Sequence, residues 1–298
     1  MKPLIKLRWA PYFFLAPFML LFFVFGLFPL GFSLVLAFQS WDPVQGLSSM
    51  TFVGLKNFAF LLEDDWFWKS LYNTLWLAVV SGLPQHLVAI PLACFIHKRL
   101  GRWRNAVVGV YFMPYITSTV AMAILFSALF STDYGVINTT LQFFFPIQAI
   151  DWLGDPDNIK PAIALMVFWR YVGFNTVLYL AALQAIPRET YEAATLDGAS
   201  PRQQFFFITL PLLKPMMLFS VTLSVIGGLQ LFEEPFVLTG GRGGSDQAGM
   251  TTAIYMFRTA FEFSDFGTAS AISWSLFLVV ALLTWGTHRL FRGNKEAS

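Results

Sequence analysis

Long apolar runs alternate with short polar ones along this chain, and six of the runs reach the length of a membrane crossing: residues 12–38, 71–96, 106–130, 161–184, 216–238 and 268–290. A hydrocarbon core of about 30 Å needs roughly 20 apolar residues in a helix. Lipid offers no partner to an unpaired backbone amide, and nothing in these runs alternates with the two-residue period of a barrel strand, so each is predicted to be a helix. The expected fold is all-α and integral to the membrane: one transmembrane domain over residues 1–298, with a charged polar island at 185–215 between the fourth and fifth spans.

Three spans carry breakers or polar groups at depth. The second has Gly82, Pro84, Gln85, His86 and Pro91, and the third has Met113-Pro114-Tyr115 followed by Thr117-Ser118-Thr119. The fifth has Gly227-Gly228, Gln230 and Glu233-Glu234-Pro235. Each proline removes one helical hydrogen bond that neighbours or water must replace. Taken together they predict a water-accessible cavity among spans two to five.

Composition agrees with the pattern. Of 298 residues 56% are hydrophobic and only 12% charged, against about 25% charged in a soluble domain. The single cysteine, Cys94, excludes an internal disulfide or a thiolate metal cluster and is expected inside a helix. Lys2, Lys6 and Arg8 before the first run have the charge order of a signal peptide. That run exceeds the roughly 7–15 residues of such a peptide's core, and Ala37 is followed by Phe38-Gln39-Ser40-Trp41 rather than by a small-residue cleavage site. A retained helix is expected.

The cations orient the spans. One set of connections holds Lys2, Lys6, Arg8, Lys98, Arg99, Arg102, Arg104, Arg188, Arg202, Lys214, Arg289, Arg292 and Lys295. The other holds Lys56, Lys69, Lys160, Arg242 and Arg258 together with most of the acids. The first set should face the cytoplasm, with both termini and the island. On the other side, 52–69 is expected to be a short interfacial helix carrying Trp66 and Trp68, and the loops 132–160 and 240–267 are too short for domains of their own. Tyr134, Phe143 to Pro146 and Trp152 suggest that the first of these loops folds against the membrane surface.

Within the island, Pro187 suits the first turn of a helix that continues from Arg188 to Leu196, and Asp197-Gly198 stops it, Gly198 taking the left-handed conformation. Ser200 caps a second helix, with Pro201 at its first position and Gln203 closing a capping box. Leu210-Pro211 is expected to end it. Glu192-Ala193-Ala194, three residues, Gly198, nine residues, then Ile208-Thr209-Leu210-Pro211 resembles the coupling motif of ABC importer permeases, and it stands before the second-last span as in that family. Phe52 to Phe58, Asn73-Thr74-Leu75, Leu183 to Pro187 and Leu238 to Gly241 resemble the carbohydrate branch of importers for maltose, oligosaccharides and glycerol phosphate. Arg242 departs from that branch's usual Gly-Gly-Pro ending, and the large external domain of the maltose representative has no counterpart, so the solute does not carry over.

The resemblance implies a type I ABC importer permease fold of six transmembrane helices in a bacterial or archaeal inner membrane. The partners it implies are a second homologous permease, two copies of a cytoplasmic ATPase and an extracytoplasmic sugar-binding protein, with no nucleic acid. Glu192, Ala193, Ala194, Asp197, Gly198, Ile208, Leu210 and Pro211 would couple to the ATPase. ATP and magnesium would sit on that partner, and this chain would bind no cofactor and catalyse nothing. The residues agree: there is no Gly-Lys pair of a phosphate-binding loop, and His86, His97 and His288 have no metal spacing.

Arg170, roughly 13 Å into the fourth span counting from Pro161, should pair with Glu233 or Glu234 or else snorkel to the interface. Trp169, Arg170, Asn175, Gln230 and Glu233 are candidate sugar-pathway residues, since a sugar ring stacks on an aromatic face while its hydroxyls need donors and acceptors. A glycerol phosphate importer, whose phosphate Arg170 would meet, is the nearest alternative. An ion-coupled transporter would need more intramembrane acids, and an embedded enzyme would need a catalytic constellation.

Overall fold

The computed structural model describes residues 9–292. Lys2, Lys6, Arg8 and Lys295, four of the orienting cations, lie outside them. Helix accounts for 79% of the described residues. In order the helices are α1 Ala10–Phe22, α2 Phe28–Leu36, α3 Lys56–Glu63, α4 Asp65–Arg99, α5 Arg104–Ile116, α6 Thr119–Leu129 and α7 Val136–Phe144. They continue with α8 Pro156–Gln184, α9 Arg188–Leu196, α10 Pro201–Gln204, α11 Leu210–Leu229, α12 Glu233–Leu238, α13 Thr252–Phe261 and α14 Phe266–Arg292. Two short strands, β1 Gln39–Ser40 and β2 Thr51–Phe52, pair antiparallel. The chain divides into two compact units, Met1–Asp64 with Met256–Ser275, and Asp65–Tyr255 with Leu276–Ser298.

In the first unit, α1 and α2 join through a π-helical turn at Phe23–Leu27 into one apolar rod, Pro11–Leu36. The Asn57 side chain donates to the carbonyls of Ala37 and Gln39 at 3.0 and 2.9 Å, which fixes the strand pair against the start of α3. Gly267 of α14 comes so close to the Gln39 carbonyl that a β-carbon would clash. The expected interfacial helix at 52–69 is shorter than predicted. Phe52 is in β2, Asp64 is extended, and Trp66, Trp68 and Lys69 belong to α4. Asp65 begins that new helix, where an acid complements the helix dipole.

The second unit is built on α4 against α8, with α11 and α5 beside them and α12 against α6. α4 carries its acid in the first turn and His97, Lys98 and Arg99 in the last, the order its dipole favours. Asp155 caps α8 by accepting from the Asp157 amide, with Pro156 at the first position. Gly173 of α8 meets the Tyr111 carbonyl of α5, so backbone touches backbone there. One buried core gathers Leu77, Phe126, Phe130, Met166 and Leu231, and a second gathers Ala93, Ile96, Tyr179, Leu183 and Leu213.

Among the described residues five helices are each long and apolar enough to cross a membrane, and a sixth span results if α5 and α6 are taken as one. That pair covers the third span expected at 106–130, and the breakers named there coincide with a bend of 96° between the two helices. Thr117 and Ser118 are extended at the break, and the Thr117 amide and hydroxyl both donate to the Met113 carbonyl, at 3.2 and 2.8 Å, closing the last turn of α5. The fifth span differs from its expected extent. It is helical from Pro201 to Leu229, then stops at Gln230–Phe232 and resumes as α12. The loop at 132–160 folds around Asn138, whose side chain accepts from the Ile150 amide and the Trp152 indole and donates to the Ile150 carbonyl.

Candidate functional site

The island holds α9 and α10 at an angle set by local hydrogen bonds. Pro187 is the cap residue of α9 rather than its first turn. At the other end the Ala199 amide donates to the Ala194 carbonyl and the Gly198 amide to the Thr195 carbonyl, at 2.9 and 3.0 Å. This is a Schellman cap, and it requires a left-handed residue where Gly198 has φ 81°. The spacing from Ala194 to Gly198 is therefore the spacing of the cap. Ser200 and Gln203 form the expected capping box, and Gln204 ties the corner by donating to the Thr195 hydroxyl and the Ala199 carbonyl.

Leu210-Pro211 does not end the second helix, contrary to expectation. A π-helical turn at Phe205–Thr209 carries α10 directly into α11, with the Leu210 amide reaching the Phe205 carbonyl. The wider turn accommodates Pro211, which has no amide to donate and would otherwise crowd the preceding turn. Tyr191 and Thr209 hydroxyls meet at 3.0 Å, joining α9 to that turn. Glu192, Ala193, Asp197, Gly198 and Pro211 are exposed, while Ala194, Ile208 and Leu210 are half-buried. Leu196 at the corner is 89% exposed, an apolar group without cover that the motif's spelling does not mark.

A cavity of about 220 Å³ lies among α4, α5, α8 and α11, the spans where polar residues and breakers predicted one. Ser81, Gln85, Asn175 and Ser224 give it hydrogen-bonding groups, and Tyr115 stacks on Phe174 at 4.5 Å beside them. Asn175 is held from two sides: it donates to Gln85 at 3.0 Å and accepts from Ser220 at 2.6 Å. One turn along, His86 Nδ1 meets the Tyr179 hydroxyl at 2.8 Å.

A second cavity of about 330 Å³ shares Tyr171, Gly227 and Leu231 with the first and is lined by Arg170, Gln230, Glu233 and Glu234. Here the paired acid is Glu234. Arg170 Nη1 lies 2.8 Å from its Oε1 and 2.6 Å from the Thr119 hydroxyl. Arg170 thus does not snorkel to the interface. Glu233 is exposed and Glu234 buried, because the start of α12 turns successive residues about 100° apart. Arg170 joins α8 to the first residue of α6 and the first turn of α12, the two helices that begin after a break.

Of the five pathway candidates, Asn175 lines the first cavity, and Arg170, Gln230 and Glu233 line the second. Trp169 lines neither and packs on Phe126 at 5.5 Å. Sequence reasoning passed over Tyr115, Tyr171 and Phe174, whose aromatic character is ordinary in a span. It singled out Gln85 only as a polar residue at depth.

The family model for the inner membrane component of binding-protein-dependent transport systems matches residues 89–292, which include the island and both cavities' α8 and α11 walls. The chain belongs to that family. It is 37% identical to the lactose transport system permease protein LacF of Rhizobium radiobacter over 91% of this chain and 90% of that one. It is 32% identical to the arabinooligosaccharides transport system permease protein AraP of Bacillus subtilis, covering 92% and 86%. In fold it matches a chain of a bacterial ABC transporter involved in import of the acidic polysaccharide alginate, with TM-score 0.83, 24% identity and 96% of both chains covered.

As a transport permease the chain is multi-pass, and its short signatures acquire structural roles. Asn73 of α4 donates to the Gln247 and Met250 carbonyls, and the Thr74 hydroxyl accepts from the Thr252 amide at 2.8 Å. Together they anchor the segment between α12 and α13. Gly240, Gly241, Gly243 and Gly244 all have positive φ in that segment, so its glycines are required by the path of the backbone.

Proposed function

We propose that this permease forms half of the translocation pathway of an ATP-driven importer for a sugar, with a second homologous permease as the other half. The observation that carries the reading is the rigid, exposed corner of α9 and α10, which continues without interruption through the π-turn into α11. Two copies of a cytoplasmic ATPase would bind ATP and magnesium and grip Glu192, Ala193 and the exposed Leu196. Displacement of the corner would then travel along α11 to its break at Gln230–Phe232, beside both cavities. This chain would contribute no catalysis and bind no cofactor.

A sugar is supported by the named relatives and by the neutral lining of the first cavity, where amides, hydroxyls and a stacked aromatic pair suit a polyol ring. Because Glu234 already neutralises Arg170, that arginine offers no free charge to a phosphate. The glycerol phosphate alternative is weaker for it. An extracytoplasmic sugar-binding protein would dock on the loops 132–160 and 240–267. The cation distribution supports both termini in the cytoplasm. The test is reconstitution with its neighbouring gene products: uptake of a labelled sugar should require ATP, the binding protein and copurifying ATPase. Uptake driven by an ion gradient alone would sink the reading.

A further inference from the structure

Away from both cavities, a cleft of about 280 Å³ opens between the start of α5 and the end of α8. Its lining is sorted by depth. Arg104 and Asn105 in the first turn of α5 and Gln184 at the last residue of α8 stand at the mouth. Val108, Leu180 and Ala181 lie about one turn further into the spans and Val177 about two, roughly 5–10 Å at 1.5 Å per residue. A polar mouth over an apolar floor is the profile of a headgroup above an acyl chain.

The mouth also carries unanswered positive charge. Arg104 is half-buried, and no ion pair or hydrogen bond reaches its side chain from the described residues. Arg104, Lys98 and Arg188 all act electrostatically on His97, with no acid of the described residues among the charges that do. His97 Nδ1 is itself buried without a partner. The first turn of α5 holds no acid, so an arginine stands where the helix dipole favours an anion. Basic pockets between helices at a membrane interface take anionic headgroups for this reason.

We propose that this cleft is a binding site for an anionic phospholipid, its phosphate on Arg104 with Asn105 and Gln184, and one acyl chain along Val108, Leu180 and Val177. A free phosphate would leave the apolar floor bare, and a zwitterionic lipid would leave the charge unanswered.

The test is native mass spectrometry of the intact purified permease complex, delipidated in neutral detergent and titrated with phosphatidylglycerol, phosphatidylcholine or inorganic phosphate. Phosphatidylglycerol adducts should be retained over phosphatidylcholine. Arg104→Gln should weaken the former about fivefold, the share of one interfacial cation. Ala181→Trp, which fills the floor and keeps every charge, should reduce both lipids, and it decides the matter if Arg104→Gln fails to insert. Equal retention of the two lipids, phosphatidylglycerol binding unmoved by Ala181→Trp, or full competition by inorganic phosphate would each overturn the proposal.

Discussion

A carboxylate inside a membrane span persists only where its charge is answered, and for Glu234 the answer is the Arg170 guanidinium at 2.8 Å. Removing one partner of a buried pair strands the other charge, at a cost of about 3–5 kcal/mol. Glu234→Gln should therefore lower the melting temperature of the detergent-solubilised protein strongly, whereas exposed Glu233→Gln should stay within about 0.5 kcal/mol of the parent. Equal melting of the two variants would mean that the charge of Arg170 is answered by an acid other than Glu234. Gly173 makes a different demand. A β-carbon there would overlap the Tyr111 carbonyl, so Gly173→Val should separate α5 from α8 and cost at least the about 1–3 kcal/mol of an overpacked contact, read by the same melting assay. The sequence identified Arg170 as a charge in need of a partner. It did not identify Glu234 over Glu233, because both spellings are equal until the register of α12 is known.

At the scale of elements, the corner between α9 and α10 was legible because the bonds of its Schellman cap and capping box each span five residues or fewer. Gly198→Val forces a β-branched residue to φ 81° and should uncouple ATP hydrolysis from uptake while the protein still inserts; preserved sugar uptake with normal coupling would count against the corner's role. The breaks were only half legible. Pro114 with Thr117-Ser118-Thr119 marked where the third span is weak, but a proline can kink a helix slightly or end it, and the 96° turn is settled by what α6 packs against. Asn73 shows the same limit: its motif was visible, its task was not. Asn73→Ala would remove the side-chain bonds to the Gln247 and Met250 carbonyls, costing about 0.5–1.5 kcal/mol for each. Faster proteolysis near residues 240–250 in the variant, with the spans intact, is the expected reading.

For the whole molecule, the open matter with the widest consequence is sidedness. The native chain has one cysteine, Cys94, so a Cys94→Ser background carrying Leu196→Cys offers a single reporter at a well-exposed point of the corner. In intact cells a membrane-permeant maleimide should label it and an impermeant one should not. Labelling by both would put the corner outside and reverse the orientation drawn from the cations. With the corner inside, α10, the π-turn and α11 make one helical path from the cytoplasmic surface to the broken end at Gln230, next to Arg170 and the shared wall of the two cavities.

Hydrophobic length, cation placement and local capping are properties of neighbouring residues, so the sequence alone determined the membrane class, the apolar spans and the two-helix island with its glycine corner. The tertiary structure decided what depends on distant residues meeting. Asn175 reaches Gln85 across 90 positions and Arg170 reaches Glu234 across 64, and no local pattern encodes the relative rotation of two helices. The cavities, the bend of the third span and the choice of Glu234 all follow from that rotation.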